Sequence, residues 1–129
     1  MKSLKTLLII CLFLPIMVSC QPKENNIKAL SSQEFQKTIS SSDVFLIDVR
    51  TAGEFNNGHI KGAINIDVNN PEFVSLVKSK LNKRSLALYC RSGSRSKVAA
   101  SKLTETGVII YELNNGFIDW MQSGLPIEN

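Results

Sequence analysis

The chain has 129 residues, of which 43% are hydrophobic and 20% are charged, and its formal net charge is +4. This length and composition fit one globular domain and exclude a disordered or low-complexity chain. Lys2 and Lys5 belong to an apolar N-terminal segment, and the aromatic residues are not interleaved with the other basic residues. The remaining charge is too weak to predict nucleic-acid binding.

The N-terminal segment has the pattern of a secretory signal peptide at residues 1–19. Two lysines precede an apolar run at residues 7–18, which is short for a membrane-spanning helix and contains a proline. Residues 17–20, Met-Val-Ser-Cys, resemble the bacterial lipobox, although Met17 stands where Leu is most usual. The resemblance implies cleavage before Cys20 and acylation of that cysteine, with a membrane anchor as the result. An apolar N-terminal strand or an uncleaved anchor is the alternative.

A polar, proline-containing stretch at residues 20–26 predicts a flexible tether to a domain at residues 27–129. We expect this domain to be attached to the cell envelope by the lipid and to face the periplasm or the exterior. Removal of Cys11 and acylation of Cys20 would leave Cys90 as the one free thiol, which must then be buried, dimer-forming or reactive. The polar residues beside it argue against simple burial. A domain of this size can bury an adequate core alone, so we expect a monomer.

Apolar runs and helical spacings alternate along the predicted domain. Short β-rich runs predict strands at residues 27–30, 44–49, 63–66, 85–89 and 108–113. Helical patterns occupy residues 31–39, 70–81, 96–107 and 117–124. Ser31 and Glu34 form a capping box for the first helix, and Pro71 occupies the first position of the second. The third helix is expected to pack against the sheet through three apolar residues, Val98, Ala99 and Leu103.

Strands that alternate with helices predict right-handed βαβ units. The expected fold is therefore α/β, with a parallel sheet between two layers of helices and an edge strand at residues 27–30. In such a sheet, ligands lie beyond the carboxyl ends of the strands. Asp48, Arg50 and Cys90 all fall at these ends.

The segment that begins at Cys90 is the strongest candidate site. Cys90 ends a predicted strand, and a short loop with a glycine follows it and leads into a helix. Free backbone N–H groups and the positive end of the helix dipole favour a thiolate over a thiol at this place. We interpret Cys90 as a nucleophile, with a free structural cysteine as the alternative. The residues after it form a candidate anion-binding loop: Arg91, Ser92, Gly93, Ser94, Arg95 and Ser96.

From about residue 27 to residue 126 the chain resembles a single rhodanese domain, the sulfurtransferase module. The matching pieces are DVR at 48–50, Glu54-Phe55, GHIKGAINI at 58–66, CRSGSRS at 90–96, GV at 107–108, NNGF at 114–117, Trp120 and GLP at 124–126. The resemblance implies that Cys90 takes a sulfane sulfur from a small anion such as thiosulfate. It implies that Cys90 holds this sulfur as a persulfide and passes it to cyanide or a thiol, without a cofactor.

Other functions on the same fold stay open. Four residues separate Cys90 from Arg95, whereas the related cell-cycle phosphatases and arsenate reductases carry five, so the shorter loop favours sulfur over phosphorus. The chain can also be read as a non-enzymatic interaction module or as an envelope thiol or redox protein that uses the same cysteine. Arg91 and Arg95 either attract an anionic donor or pair with nearby acids.

The remaining polar residues are interpreted as support. We expect Asp48 and Arg50 to brace the strand end, with Glu54 as a third member. His59, in the GHIKGA turn, is interpreted as a hydrogen-bonded turn residue rather than a general base. Two aromatic residues are assigned to the core, Phe117 and Trp120. No cluster of His, Cys, Asp and Glu has the spacing of metal ligands, so no metal is expected.

Overall fold

The computed structural model describes residues 26–129. The strands are β1 (Ile27–Leu30), β2 (Val44–Asp48), β3 (His59–Ile60), β4 (Ile64–Asn65), β5 (Ser85–Tyr89), β6 (Ile110–Leu113) and β7 (Ile127–Glu128). The helices are α1 (Ser32–Ile39), α2 (Ala52–Asn56), α3 (Phe73–Leu81), α4 (Ser94–Leu103) and α5 (Gly116–Gln122), with a 3-10 turn at Thr104–Thr106. The predicted signal peptide, Cys20 and all but the last residue of the predicted tether lie outside the described residues. Within residues 26–129, no helix is both long enough and apolar enough to cross a bilayer.

Five of these strands form one sheet in the order β1-β6-β5-β2-β4, and all neighbouring pairs are parallel. The predicted parallel sheet is confirmed, and β1 is an edge strand as expected. β5 is the central strand, with β6 on one side and β2 on the other. The two-residue strands β3 and β7 pair antiparallel in a separate ribbon.

Each face of the sheet is covered by helices. Side chains alternate along a strand, so neighbouring residues of β5 enter different cores. One core holds Leu88 and Cys90 together with buried side chains of α3 and α4. The other holds Ala87 and Tyr89 together with buried side chains of α1 and α5. The three-layer α/β fold is therefore confirmed.

Two short helices begin with the same capping signature. In α1, the Ser31 hydroxyl accepts from the N–H of Glu34, whose carboxylate accepts from the N–H of Ser31, as predicted. In α2, Thr51 and Glu54 form the same reciprocal pair. The sequence patterns predicted no helix at residues 52–56, so α2 is an element that they missed.

Three local expectations differ wholly or in part from the structure. Pro71 does not open α3, because Asn70 forms a turn that accepts the N–H groups of Glu72 and Phe73, and the helix begins at Phe73. The predicted strand at residues 63–66 is present but shorter, as Ile64–Asn65, and the Ile66 N–H also donates to the Asp48 carbonyl of β2 at 3.0 Å. Val98 is 52% exposed rather than packed inward, because it lies off the buried stripe of α4. That stripe consists of Ser96, Ala99, Ala100 and Leu103.

Candidate active site

The central strand β5 delivers Cys90 to the carboxyl edge of the sheet, and α4 begins four residues later. Cys90 is 1% exposed, although the sequence interpretation argued from its polar neighbours against simple burial. The thiol lies beneath the loop rather than on the surface, because the loop curls back over the sulfur. Two of the loop serines, Ser92 and Ser94, are exposed, whereas Ser96 is buried beside the thiol.

Two polar groups lie within hydrogen-bond reach of the Cys90 sulfur. The backbone N–H of Gly93 donates to Cys90 Sγ at 3.1 Å, and the Ser96 hydroxyl lies 3.6 Å from it. Burial of the thiol alone would raise its pKa. Hydrogen bonds from the side chain and backbone of Ser96 and from the backbone of Gly93 and Ser92 outweigh burial, and the pKa of Cys90 falls below its ordinary value.

The loop after β6 fixes the orientation of the loop after β5. Backbone N–H groups at the start of α5 bind the outward carbonyls of the Cys90 loop: Phe117 donates to Cys90 at 2.9 Å and Ile118 donates to Arg91 at 3.1 Å. With its carbonyls held from outside, the loop turns its N–H groups toward the sulfur. A Cβ atom at Gly116 would overlap the Arg91 carbonyl, so these two loops pack backbone against backbone.

Gly93 is required by the same packing. It has φ +104, a backbone conformation that favours glycine, and a Cβ atom there would overlap the Asn114 carbonyl. The NNGF piece of the sequence, at residues 114–117, is therefore the segment against which the Cys90 loop packs.

Arg95 forms an ion pair with Glu54. The guanidinium binds the carboxylate with both nitrogens, at 2.7 and 2.9 Å, which ties the start of α4 to α2. This pairing with Arg95 lowers the pKa of Glu54 to about 2. We expected Glu54 to join Asp48 and Arg50; its charge does act on Arg50, but its ion pair is with Arg95 of the loop. Of the two loop arginines, Arg95 is thus paired, whereas Arg91 forms no ion pair within the described residues.

A shallow groove of about 240 Å³ lies beside the loop. Arg91 lines it together with Ile118 and Met121 of α5, and Arg50 and Phe117 form part of its wall. The groove therefore combines an unpaired cation with apolar side chains next to the segment that carries the thiol.

Asp48 and Arg50 form a buried pair that supports the site from the other face of the sheet. The Arg50 guanidinium contacts the Asp48 carboxylate at 2.6 Å, donates to the Gly58 carbonyl at 2.7 Å, and lies 4.3 Å from the centre of the Phe117 ring. Phe117 in turn holds the carbonyl of Cys90. The pair thus acts on the thiol loop through α5.

His59 lies in the short strand β3, immediately before the turn at residues 61–62, rather than in the turn itself. Its ring stacks on Phe55 at 3.7 Å, with Nδ1 3.0 Å from the Phe55 carbonyl and Nε2 3.2 Å from the carboxylate of Glu128. Both ring nitrogens are therefore engaged by structural partners, as expected for a hydrogen-bonded structural residue. Phe117 and Trp120 are buried, as predicted.

Sequence reasoning missed Glu112, which lies in β6 and is 1% exposed. Its carboxylate accepts from the Ser96 hydroxyl at 2.6 Å, next to the thiol. The signal was present, because a glutamate interrupts the otherwise apolar run at residues 108–113 that was predicted to be a strand. Over residues 26–129, no group of three or more His, Cys, Asp or Glu side chains could hold a metal ion.

The fold and the loop identify the class of protein. Residues 31–123 match the model of the rhodanese-like domain, and the chain therefore belongs to this family.

Relatives of similar length carry sulfurtransferase names. The chain is 34% identical over 94 residues to a sulfurtransferase of Allochromatium vinosum, covering 71% of this chain and 85% of that protein. It is 32% identical over 100 residues to the thiosulfate sulfurtransferase GlpE of Shewanella oneidensis, covering 77% and 97%. The fold is similar to that of a rhodanese-like domain from an Anabaena protein, with a TM-score of 0.69, 24% identity and 78% of each chain covered.

Proposed function

We propose that the chain is a sulfurtransferase that carries a sulfane sulfur as a persulfide on Cys90. The observation that carries this proposal is the Gly93 N–H that points at Sγ from a loop whose carbonyls are held from outside. Such a loop stabilises negative charge on sulfur, whether it lies on a thiolate or on a persulfide. The sulfurtransferase names of two relatives support the same reading.

The chemistry divides into two displacements. In the first, the Cys90 thiolate attacks the outer sulfur of a donor such as thiosulfate, a new S–S bond forms, and sulfite leaves with the electron pair of the bond that breaks. In the second, cyanide or a thiolate attacks the outer sulfur of the persulfide, and the electron pair returns to Cys90. Each step balances without an external oxidant or reductant.

The surroundings of the thiol favour a small anionic donor. A sulfur buried under a short loop is reached by a single sulfur atom more easily than by a bulky group. Arg91 supplies an unpaired positive charge at the rim, whereas Arg95 is occupied by Glu54. We therefore assign attraction of the donor to Arg91 and stabilisation of the loop to Arg95.

The test uses the purified full-length chain, incubated with thiosulfate and then cyanide. We expect thiocyanate to form, and we expect an intermediate that is heavier by the mass of one sulfur atom at Cys90. Cys90→Ser should lose both, whereas Cys20→Ser, a matched change at a cysteine outside the loop, should retain both. Absence of the adduct with every sulfane donor would contradict the proposal. Turnover of a phosphate ester that depends on Cys90 would favour a phosphatase instead.

We also propose that acylation of Cys20 anchors the chain in the cell envelope. Support comes from the basic residues Lys2 and Lys5, the apolar run at residues 7–18 and the lipobox-like sequence at residues 17–20. Intact-mass measurement of protein taken from its own membrane should show a chain that begins at Cys20 and carries acyl groups. Recovery of an unprocessed and unacylated chain would overturn this part of the proposal.

A further inference from the structure

A buried carboxylate lies behind the thiol loop and has no part in the two displacements. The Glu112 side chain in β6 is 1% exposed, and its nearest cation, the Lys97 ammonium, is 3.5 Å away on a side chain that is 56% exposed. A buried carboxylate with so distant a counter-ion is expensive to maintain. Its position beside the candidate site indicates a function there.

Ser96 connects this carboxylate to the thiol. Its hydroxyl oxygen lies 2.6 Å from Glu112 Oε1, 3.1 Å from the Gly93 carbonyl and 3.6 Å from Cys90 Sγ. A hydroxyl has one proton to donate, and the shortest of these contacts takes it. While Ser96 donates to Glu112, it can only accept a hydrogen bond from the thiol. To stabilise the thiolate, Ser96 must turn its proton from Glu112 to the sulfur, so the carboxylate competes with the thiolate for this proton.

We propose that Glu112 is a positioning residue that acts through Ser96 to restrain ionisation of Cys90 and so keeps its thiolate strongly nucleophilic. Two effects point the same way. The carboxylate draws the Ser96 proton away from the sulfur, and its negative charge opposes a second negative charge two contacts away.

The cations near the thiol favour its ionisation, in contrast to Glu112. On α4, Lys97 lies beside Glu112, and Arg95 is near enough to Cys90 for each charge to affect the other. Arg95 is shared with Glu54 of α2. Next to β5, β2 contributes the Asp48–Arg50 pair, whose two charges cancel. Glu112 is therefore the carboxylate that offsets the loop N–H groups and the α4 cations.

The opposing effects on the ionisation of Cys90 also affect the two sulfur-transfer steps, if the chain has the proposed function. The reactivity of a thiolate rises with its pKa, with a Brønsted coefficient of about 0.4–0.5, whereas a thiol of lower pKa is the better leaving group. Glu112 therefore speeds the uptake of sulfur by each Cys90 thiolate and slows its delivery from the persulfide. The thiol proton passes to solvent, and no further reactant is needed.

The first test measures ionisation without any sulfur donor. In the full chain with Cys11 and Cys20 changed to Ser, the pH dependence of alkylation by iodoacetamide reports the Cys90 thiolate. Glu112→Gln should lower the midpoint by about one pH unit, because it removes the buried charge and leaves a weaker acceptor to compete with the sulfur for the Ser96 proton. Glu105→Gln, the same change at an exposed position beyond the far end of α4, should leave the midpoint unchanged. An unchanged or raised midpoint in Glu112→Gln would overturn the proposal.

The second test asks whether the effect passes through Ser96. In a Ser96→Ala background, Glu112→Gln should shift the midpoint by about half as much or less, because no hydroxyl proton is left to redirect. An equal shift in both backgrounds would show that Ser96 is not the connection.

A third measurement uses the unsubstituted protein and so does not depend on the folding of a variant. In a chain labelled with ¹³C-glutamate, the Glu112 carboxyl signal should move over the pH range in which Cys90 ionises, and this movement should disappear after Cys90 is alkylated. A Glu112 signal that ignores alkylation would refute the coupling.

Single-turnover kinetics then test the consequence. Glu112→Gln should make sulfur uptake per thiolate about threefold slower and delivery about threefold faster. Equal changes in both half-reactions would contradict the proposed role of Glu112. A midpoint that shifts as expected in a chain that never accepts sulfur would leave the ionisation result intact and reject the sulfurtransferase function instead.

Discussion

Two buried carboxylates lie in strands that flank β5, yet their surroundings differ. Asp48 of β2 is fully buried and receives the Arg50 guanidinium at 2.6 Å together with the Arg50 backbone N–H at 2.9 Å. Glu112 of β6 is almost as buried, but it receives one hydroxyl at 2.6 Å and a largely solvated ammonium at 3.5 Å. The first charge is neutralised inside the protein, and the second is not.

The difference separates a structural charge from a chemical one. Asp48 binds Arg50, which in turn contacts Gly58 and Phe117. The charge of Asp48 therefore stabilises the packing of β2 against these neighbouring segments. Glu112 is linked to Cys90 through a single hydroxyl, so its charge remains available to act on the sulfur. The comparison predicts that loss of Asp48 affects stability most, whereas loss of Glu112 affects the thiol most.

The largest effect is expected for Asp48→Asn. The change leaves the buried Arg50 guanidinium without an anion, and breaking a buried pair in this way typically costs about 3 kcal/mol or more. The free energy of unfolding from urea titration should fall by that amount. Asp43→Asn, the same change at an exposed position just before β2, should lie within about 0.5 kcal/mol of the unsubstituted protein. A small loss in Asp48→Asn would remove the distinction between the two carboxylates.

The second prediction concerns the backbone contact between the loop after β6, at Gly116, and the Cys90 loop, at the Arg91 carbonyl. Gly116 and Gly124 both have φ +70, but only at Gly116 would a Cβ atom meet the loop, at the Arg91 carbonyl, whereas Gly124 has open space. Gly124→Ala should cost about 1 kcal/mol for the backbone conformation alone, with sulfur transfer unchanged. Gly116→Ala should cost about 2–3 kcal/mol and lower transfer at least tenfold, because the Cys90 loop must shift. Equal behaviour of the two variants would show that the loop does not depend on this contact.

Sequence patterns found most of the fold because its main elements carry local signals. The apolar runs of β2 and β5 and the capping box of α1 are visible without knowledge of distant residues. The same capping signature at Thr51 and Glu54 was passed over, because the helix that it opens is only five residues long and ends in an Asn-Gly turn. The strand β7 gives no local signal, since two residues become a strand only by pairing with β3.

In the candidate site, too, only the parts with a local sequence signal could be predicted. The loop from Cys90 to Ser96 could be recognised from residue types and from their place after a strand. Its partners could not: Glu54 lies 41 positions before Arg95, and Glu112 lies 16 positions after Ser96. Periodicity assigns a residue to a face but not to a neighbour across the sheet. The burial of Cys90 likewise follows from how the loop curls, which its polar composition does not reveal.

The third prediction concerns Glu54, whose carboxylate is paired with an arginine, like Asp48, but is partly exposed to solvent. Its pKa of about 2 in the folded protein is below the value of about 4.3 in an unfolded chain, so the Arg95 pair stabilises the fold fully above about pH 4.5. This contribution is lost as the pH falls toward 2. Because the side chain is 28% exposed, we allow for solvent screening and expect about 1–2 kcal/mol.

Urea titrations at pH 6 and pH 3 measure this contribution. Glu54→Gln should be less stable than the unsubstituted protein at pH 6 by that amount, and the gap should narrow at pH 3. Glu72→Gln, at an exposed position before α3, should show no such gap. A Glu54→Gln gap that is the same at both pH values would mean that the ion pair is not its source.

The smallest effect on stability is expected for Glu112→Gln. Glutamine has nearly the same shape, can still accept from Ser96, and removes a charge that only a solvated ammonium at 3.5 Å opposes. The desolvation cost of the carboxylate and the loss of its weak pairing therefore offset each other, and the free energy of unfolding should change by less than about 1 kcal/mol. Measured beside Asp48→Asn under the same conditions, this variant should thus be close to neutral for stability while its Cys90 alkylation profile moves. A loss as large as that of Asp48→Asn would place Glu112 among the structural charges, and the contrast between the two strands would then disappear.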